Sequence, residues 1–324
     1  MDLGIGVIGA GVMGAEHARI LRRAVSGAHL AGVCDRDPAR AAAAAGDAPV
    51  FSDPLALIAA PEVAAVVIAS PDETHAEYAL ACLAAGKPAL LEKPMAHRAA
   101  EALRIVEAEA AGGRRLVQLG FMRRYDAAYG ELKAVLGSGR IGRATVLHNV
   151  HRNVSVPDWF SGPMAITNSF SHEIDISRWL LGAEITSAQV FPAGDRGLLM
   201  VTMRTDGGQV VSTEVNINAG YGYHVHAQIV GEQGTVEMAP PGLALTNAAG
   251  AHGFDFPADW IPRFAQAYRD QMQGWVDGMA AGRLGGATAW DGYVTVAVAE
   301  QIAASLRDCQ PVEIALPPRP EFYR

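Results

Sequence analysis

The chain has 324 residues, half of them hydrophobic and 19% charged, which excludes a disordered chain and, at this length, predicts two domains. Lys and Arg number 26 against 34 Asp and Glu, a net charge of -8 that argues against a nucleic-acid-binding protein. The apolar runs are far too short to cross a bilayer and no signal peptide opens the chain, so we expect a soluble, cytoplasmic protein. Three separated cysteines support neither a disulfide framework nor a zinc site.

The first 120 residues alternate short β-branched segments with amphipathic segments rich in Ala and Leu. Strands are predicted at 4–8, 30–34, 64–69, 89–91 and 116–120, and helices at 12–25, 38–45, 74–85 and 98–111. Strands that alternate with helices form βαβ units around a parallel sheet. Residues 1–120 are therefore predicted to form an α/β domain.

The pattern changes after residue 120. Helices predicted at 126–136 and 169–181 flank a strand at 142–153, and further strands then follow one another directly, at 184–191, 198–204, 209–218, 224–231 and 235–238. Successive strands without helices between them predict an α+β domain with a mostly antiparallel, open sheet. Helices at 259–281 and 291–306 follow. Residues 121–324 are assigned to this second domain, with the option that helix 291–306 packs back on the first.

A glycine-rich turn, Gly9-Ala10-Gly11-Val12-Met13-Gly14, follows the first strand and opens the first helix. Glycine suits a tight turn, the approach of backbone to a pyrophosphate and the packing of helix on strand, and the helix start attracts phosphates. Asp35 lies 21 residues after Gly14, where a carboxylate binds the adenosine ribose and repels a 2′-phosphate. The motif predicts a dinucleotide-binding Rossmann domain that prefers NAD to NADP, a preference that the adjacent Arg36 blurs. The alternative is a structural turn and a surface aspartate.

A second motif, Glu92-Lys93-Pro94, follows a strand at the carboxyl end, where open α/β sheets bind ligands. Pro94 favours an extended backbone at Lys93, which fixes where that side chain leaves the sheet. An ammonium there can hydrogen-bond a substrate hydroxyl and shuttle its proton as hydride leaves the same carbon. The spacing leaves open the alternative that Lys93 forms only a surface salt bridge with Glu92.

A third group lies on the predicted helix at 169–181. If helical spacing extends back to residue 168, then Asn168, His172, Asp175 and Trp179 share one face. An amide, an imidazole, a carboxylate and an indole on one side of an otherwise apolar helix suggest a wet cleft. The alternative is that His172 is an ordinary hydrogen-bonded residue of the core or surface.

Weaker signals surround these motifs. Ser70 and the segment 71–75, which ends at His75, follow the third strand and are placed at the nicotinamide half of the cofactor, although this segment also reads as a plain turn. Tyr223 lies in a segment that is equally typical of an edge strand and of a binding loop. His151 and Asn153 share a strand face, but no third or fourth ligand is evident, so no metal site is predicted.

Together these features resemble the glucose-fructose oxidoreductase / inositol dehydrogenase family (Gfo/Idh/MocA) over essentially the whole chain. Within the family the chain looks closest to inositol 2-dehydrogenases, on GFMRRYD at 120–126, HRN at 151–153, HEID at 172–175 and EFY at 321–323. The resemblance implies that a ring or sugar hydroxyl is oxidised by NAD, with His172 as the base and Lys93 polarising the reacting oxygen. It also implies a homo-oligomer, a tetramer or a dimer, and a polyol pocket lined by Arg123, Asn153 and Asp175.

The predicted site residues fall into three groups. The predicted catalytic residues are Lys93, His172 and Asn168, and the predicted substrate-binding residues are Arg123, Asn153, Asp175 and Tyr223. The predicted cofactor-binding residues are Gly9, Gly11, Val12, Met13, Gly14, Asp35, Arg36, Ser70, Pro71, His75, Glu92 and Lys93.

One position departs from the family pattern. Inositol dehydrogenases usually have an aspartate four residues before the histidine, and this chain has Asn168. The amide loses the charge that would hold Lys93 protonated, and it gains the ability to donate to a substrate oxygen. We predict oxidation of a secondary hydroxyl of inositol, either myo-inositol or a stereoisomer. The alternatives are NAD(P)-dependent dehydrogenation of another sugar, amino-inositol or keto-sugar, and a non-catalytic NAD(H)-binding regulatory protein.

Overall fold

The computed structural model describes residues 2–157, 160, 162–194, 197–239, 242 and 244–324. These residues divide into two compact units. The first unit comprises residues 1–122, 268–297 and 317–324, and the second comprises residues 123–267 and 298–316. The first division lies two residues after the predicted boundary. Two later segments, 268–297 and 317–324, belong to the first unit, whereas the sequence assigns them to the second domain.

The first unit contains a parallel sheet with helices between its strands, as predicted, but the sheet has six strands rather than five because the short strand Val50–Phe51 was not predicted. The strands are β1 (Leu3–Ile8), β2 (Ala28–Cys34), β3 (Val50–Phe51), β4 (Ala65–Ile68), β5 (Ala89–Leu91) and β6 (Val117–Leu119). The helices are α1 (Val12–Arg23), α2 (Pro38–Ala45), α3 (Pro54–Ala59), α4 (His75–Ala84) and α5 (Ala99–Gly112). The strand order β3-β2-β1-β4-β5-β6 is that of a doubly wound dinucleotide-binding fold, so the α/β Rossmann prediction is confirmed.

The strand order of this sheet decides where a ligand can bind. Successive connections leave β1 in opposite directions, towards β2 on one side and β4 on the other, and the crevice at such a point is the usual ligand site. Strands β4 and β5 are buried along their whole length, which fits their continuous apolar sequences. The segments that follow β1, β4 and β5 therefore leave adjacent strands at the same edge of the sheet, and they carry most of the predicted cofactor residues.

The end of the chain is tied to the first unit by a buried carboxylate. Glu109 on α5 is fully buried, and its Oε1 accepts hydrogen bonds from the backbone N–H groups of Leu116 (2.7 Å) and Val117 (2.6 Å). Its Oε2 accepts a hydrogen bond of 2.6 Å from the hydroxyl of Tyr323. Both carboxylate oxygens are thus satisfied by groups from the segment before β6 and from the last residues of the chain.

The second unit contains a mostly antiparallel sheet of seven strands. Its strands are β7 (Ala144–Arg152), β8 (Ile185–Ala193), β9 (Leu198–Thr205), β10 (Val210–Asn216), β11 (His224–Gly231), β12 (Thr235–Glu237) and β15 (Val312–Glu313), while β13 (Thr246–Ala248) and β14 (Ala251–Gly253) form a separate hairpin. In the order β12-β11-β7-β10-β9-β8-β15 every pair is antiparallel except β7 with β10. The prediction of a mostly antiparallel, open sheet is confirmed.

The remaining helices are α6 (Ala127–Gly137), α7 (Gly162–Met164), α8 (Ser171–Leu181), α9 (Trp260–Ala280) and α10 (Ala289–Ala304). None of the helices within the described residues is both long enough and apolar enough to cross a membrane. The helix predicted at about 169–181 is confirmed as α8, which begins at Ser171, but its α-helical spacing does not extend back to Asn168. Asn168 lies in a π-helix, Ala165–Ser169, because Phe170 N–H donates to the carbonyl of Ala165 five residues earlier.

Candidate functional site

The glycine-rich turn after β1 has the geometry of a phosphate cradle. Gly9 has a φ of 92°, and a Cβ there would lie 2.5 Å from the backbone of Ala69 and Ser70. A Cβ at Gly14 would overlap the carbonyl oxygen of Gly9, so this glycine lets α1 pack against β1. A Cβ at Gly11 would meet nothing within 4 Å, which leaves open the space that a pyrophosphate needs. The backbone geometry at the three glycines fits the three purposes for which the motif uses glycine.

The start of α1 suits an anion. Its N-cap residue Gly11 offers no side chain to the first N–H groups, and its first turn contains no acidic residue. The positive end of the helix dipole is therefore not compensated within α1 and attracts a phosphate group. Of the three helix residues predicted to contact the cofactor, Val12 is 62% exposed, Met13 is half-buried and Gly14 is buried.

A pocket of about 500 Å³ lies at this end of the parallel sheet. It is lined by Ile8, Gly9, Gly11, Cys34, Asp35, Arg36, Arg40, Ser52, Pro54, Ala69, Ser70, Pro71, Thr74 and Tyr78. Six of these were predicted to bind the cofactor. The pocket is concave, mostly apolar and equipped with a few polar groups, which is the usual character of a small-molecule site.

Asp35 presents a fixed carboxylate to this pocket. Its Oδ2 accepts a hydrogen bond of 2.6 Å from Ala10 N–H, and its Oδ1 accepts one of 2.8 Å from Asp37 N–H. Arg40 approaches Oδ1 at 3.4 Å, and Arg36 lines the same pocket. The carboxylate is therefore oriented before any ligand binds, which favours ribose hydroxyls as donors, while the two guanidinium groups bring positive charge to the same end.

Several lining residues were not predicted from sequence. Arg40 lies on α2 and Tyr78 on α4, and no local motif marks them. Cys34 also lines the pocket, and burial, together with the nearby carboxylates Asp53 and Asp35, raises the pKa of its thiol to about 11. The thiol is therefore protonated near neutral pH and contributes packing rather than a nucleophile.

His75 lies beneath the pocket rather than in its wall. The side chain is buried, and its Nδ1 and Nε2 atoms each lie 2.8 Å from a carbonyl oxygen, of Pro94 and Ser70 respectively. Burial lowers the pKa of His75 below its ordinary value, although both carbonyl contacts oppose this effect. His75 therefore links the segment after β4 to the segment after β5.

Glu92 and Lys93 follow β5 and are placed differently from each other. Glu92 is 7% exposed, and its Oε1 lies 2.7 Å from Nε2 of His17, a buried residue of α1. Its Oε2 accepts a hydrogen bond of 3.1 Å from Lys93 N–H. Lys93 is half-buried, and the Lys93-Pro94 peptide bond is cis. The predicted alternative of a surface salt bridge does not describe Glu92, because its carboxylate is buried.

In the second unit, the residues around His172 form a buried charged cluster. Arg123 is 1% exposed and pairs through Nη1 with Oε1 of Glu173, which is fully buried. Glu173 Oε2 lies 3.0 Å from Nδ1 of His151, and Tyr129 accepts a hydrogen bond of 3.4 Å from Arg123. Burial alone would raise the pKa of Glu173, but Arg123 and His151 hold it below its ordinary value. The carboxylate is therefore ionised.

His172 and Tyr223 both contact this cluster. The ring of His151 lies 6.4 Å from the ring of His172 and 5.9 Å from that of Tyr223, both in edge-on arrangements. His172 is 7% exposed and Tyr223 is 3% exposed. The structure thus gathers three predicted residues, Arg123, His172 and Tyr223, around His151 of β7.

The other predicted residues of the second unit lie on neighbouring elements. Asp175 is 1% exposed and receives two hydrogen bonds from Arg124, at 3.0 Å from Nε and 2.6 Å from Nη2. Asn153 directly follows β7, is half-buried, and donates its backbone N–H to Asn216. Asn168 is half-buried in the π-helix before α8.

Glu173 and His17 are the buried partners that sequence reasoning missed. Glu173 belongs to a helix that is buried at eight consecutive positions, 171–178, so a carboxylate there requires a cation. His17 falls on the apolar stripe of α1, in line with the buried Gly14 and Leu21. A polar residue at a core position was therefore the available signal in both places.

The sequence predicts no metal site at His151 and Asn153, because no third or fourth ligand is evident. Within the described residues, one group of three possible ligands comes together, Asp72, Glu73 and His97, and neither His151 nor Asn153 belongs to it. Glu73 and His97 are exposed, and Asp72 lies 3.5 Å from the imidazole of His97, as in an ordinary surface ion pair. None of the three is a predicted site residue, although Asp72 and Glu73 lie within the segment 71–75.

Comparisons with known proteins agree with this geometry. Residues 3–121 match the family described as "Oxidoreductase family, NAD-binding Rossmann fold", and residues 129–237 match the "GFO/IDH/MocA C-terminal domain". The chain is 49% identical to Inositol 2-dehydrogenase 2 of Saccharopolyspora erythraea, over 100% of this chain and 98% of that protein.

Solved structures show the same relationship. Myo-inositol dehydrogenase from Lactobacillus casei, in complex with NAD(H) and myo-inositol, is 34% identical, with a TM-score of 0.96 over 100% of both chains. Scyllo-inositol dehydrogenase from the same organism, at 24% identity, shares the fold with a TM-score of 0.89 over 97% of this chain and 99% of that one. NAD is the cofactor of the Rossmann domain that the family model matches. The chain therefore belongs to the Gfo/Idh/MocA family of oxidoreductases, and the prediction made from its motifs is confirmed.

Proposed function

We propose that this protein catalyses the NAD-dependent oxidation of a secondary hydroxyl of inositol to the ketone. The observation that carries the proposal is full-length similarity, at 49% identity, to a protein named inositol 2-dehydrogenase, in a chain that keeps Lys93 and His172. The L. casei relative, crystallised with NAD(H) and myo-inositol, supports a cyclic polyol as the substrate.

The proposed cofactor site uses the turn after β1 for the pyrophosphate and Asp35 for the ribose. The open space at Gly11 and the oriented carboxylate of Asp35 support this placement. When bound, NAD supplies a hydride acceptor at its nicotinamide ring. Ser70 and Pro71 line the same pocket, and His75 fixes the carbonyl of Ser70.

The proposed proton relay consists of Lys93 and His172. As hydride leaves the carbinol carbon, the hydroxyl must lose its proton, and a base with a pKa near neutrality suits that task. We assign the base to the imidazole of His172, and we assign to the Lys93 ammonium the hydrogen bond that polarises the reacting oxygen. The products are the ketone, NADH and one proton, so the reaction balances and runs in both directions.

We propose Arg123, Asn153, Asp175 and Tyr223 as the residues of the polyol pocket. Ion pairs hold the side chains of Arg123 and Asp175, so the positions of these two groups are set before substrate binds. Binding groups that are held in advance lose little entropy on binding, and this favours discrimination among stereoisomers.

Turnover on a panel of polyols tests the proposal. Purified protein, NAD and each of several inositols, sugars and linear polyols are mixed, and NADH absorbance is followed. We expect turnover with at least one inositol, loss of most of the rate in Lys93→Ala and His172→Asn, and full NADH binding in both. His148→Asn is the matched control, because His148 is an exposed histidine of β7. No turnover on any inositol would contradict the proposal, and retained NADH binding without turnover would favour a regulatory protein.

A second candidate function follows from Asn168. Its amide is where related inositol dehydrogenases usually have a carboxylate, which favours a substrate with a different pattern of donors and acceptors, such as another sugar, an amino-inositol or a keto-sugar. Comparing kcat/KM across the panel for wild type and Asn168→Asp tests this candidate. If the variant gains activity on inositol while losing it on another substrate, the natural substrate is not inositol.

A further inference from the structure

A buried carboxylate lies directly beneath the segment that carries Lys93. Glu92 is the first residue after β5, and its two oxygens contact Nε2 of His17 at 2.7 Å and the backbone N–H of Lys93 at 3.1 Å. Gly120, directly after β6, leaves the necessary room, because a Cβ there would lie 3.0 Å from the carboxyl carbon of Glu92. Helix α1, the segment after β5 and the residue after β6 thus all pack against the carboxylate of Glu92.

The contacts of His17 indicate which of its two ring nitrogens donates to Glu92. Its Nδ1 atom is buried and has no hydrogen-bond partner among the described residues. A proton on Nδ1 would therefore be buried without an acceptor, which is unfavourable. The tautomer protonated at Nε2 satisfies Glu92 and leaves Nδ1 unprotonated. His17 therefore orients the Glu92 carboxylate through its Nε2 donor.

The ionised state of Glu92 depends on its neighbours. Burial raises the pKa of Glu92, but the hydrogen bond from His17, the charge interaction with His17 and the nearby Lys93 ammonium together lower it below its ordinary value. The charged or titratable groups that interact with this carboxylate are His17 on α1, Lys93 on the same segment, and His75 on α4. Of these, Lys93 is the only one that is cationic in its ordinary state at neutral pH.

We infer that Glu92, oriented by His17, is the counter-charge that keeps Lys93 in its ammonium form. The inference rests on the proposed function for the task of Lys93, which is to donate a hydrogen bond to the reacting oxygen. Glu92 and His17 are positioning residues, since they act through Lys93.

The lysine content of the chain makes this inference directly measurable. The sequence contains three lysines, Lys87, Lys93 and Lys133. Protein labelled with ¹³C at lysine Cε gives one signal for each, assigned with single Lys→Arg variants. The pH at the midpoint of the Lys93 signal reports its protonation without substrate, cofactor or turnover. Circular dichroism defines the alkaline limit of the folded state, and midpoints are compared below that limit.

We expect the Lys93 midpoint in Glu92→Gln to lie about one pH unit or more below that of wild type, the usual effect of a nearby opposite charge. His17→Leu, which removes the donor and keeps Glu92, should lower the midpoint in the same direction. His17→Gln, which keeps a donor, should restore it. Glu107→Gln, an exposed glutamate on α5, is the matched control and should leave the midpoint unchanged.

An unchanged midpoint in both Glu92→Gln and His17→Leu would overturn the inference, as would an equal shift in Glu107→Gln. If Glu92→Gln does not fold, His17→Leu decides the matter alone. The titration also separates this inference from the proposed function. If the Lys93 midpoint is lowered in Glu92→Gln and His17→Leu but the wild-type protein turns over no polyol, the proposed function is wrong and the inference stands. If the midpoint is unchanged in both variants and the wild-type protein is fully active, only the inference is wrong.

Discussion

Replacing Glu173 with glutamine should destabilise the protein far more than removing a single surface charge would. The side chains of Arg123 and Glu173 are 1% and 0% exposed, so the substitution leaves a buried guanidinium without its anion. The other neighbours of Arg123 include the hydroxyl of Tyr129 and the rings of His151 and Phe264, and none of these carries a negative charge. Removing one partner of a buried ion pair costs about 3–5 kcal/mol, and we expect a loss of that size.

Glu232→Gln provides the matched control. It removes the same charge from an Arg–Glu pair of 2.9 Å with Arg143, but the two side chains are 73% and 46% exposed. An exposed pair contributes less than about 1 kcal/mol, because water screens the charges and both side chains lose entropy. The expected difference between the two variants is therefore several-fold, although the change of side chain is the same.

Urea denaturation followed by circular dichroism measures both variants against wild type. The comparison uses midpoints together with slopes, because a changed slope indicates a changed unfolding process rather than lost stability. The double variant with methionine in place of both Arg123 and Glu173 should recover part of the loss, since it buries no unpaired charge. If Glu173→Gln and Glu232→Gln cost the same, the buried ion pair does not contribute as we reason.

Three further predictions follow from other sites. Gly14→Ala should destabilise the protein, because its Cβ overlaps a backbone oxygen, whereas Gly11→Ala should keep the melting temperature and weaken NADH binding, measured by fluorescence titration. Burial lowers the pKa of His75, so the unfolded state binds its proton more readily. The free energy of unfolding should then fall as pH drops below about 6.5, and less so in His75→Gln; equal slopes would contradict this. Tyr323→Phe should lower the free energy of unfolding, measured by urea denaturation, by about 1.5–3 kcal/mol, because it removes the hydroxyl that donates to the Glu109 carboxylate. An unchanged free energy of unfolding would refute the role of this hydrogen bond.

The parts of the cofactor pocket that could be predicted from the sequence are those formed by residues close together in the chain. The turn from Gly9 to Gly14 and the carboxylate of Asp35 could be placed because each depends on residues close in the chain. The rest of the pocket could not, since Arg40 and Tyr78 reach it only through the packing of α2 and α4. Glu92 is separated from His17 by 75 residues, and no pattern of spacing indicates that pairing.

Two short strands and a π-helix could not be predicted from the sequence. Strands β3 and β15 have two residues each, so their identity comes from the strand beside them rather than from their own sequence. The π-helix at 165–169 depends on a single shifted backbone hydrogen bond, which apolar periodicity does not reveal. The α-helical spacing predicted back to Asn168 therefore fails, although His172 and Asp175 lie on α8 as expected.

The position of β7 within its sheet has a consequence for the order of folding. This strand pairs on one side with β10 and on the other with β11, so Val146 lies opposite both Val210 and Val230. Its partners are thus synthesised more than sixty residues later, whereas β8, β9 and β10 pair with their nearest neighbours along the chain. Because closing a long loop costs entropy that a short hairpin does not, the β8–β10 meander should form first and serve as the template on which β7 docks. On the ribosome, β7 and its buried residues stay without a sheet partner until that template emerges.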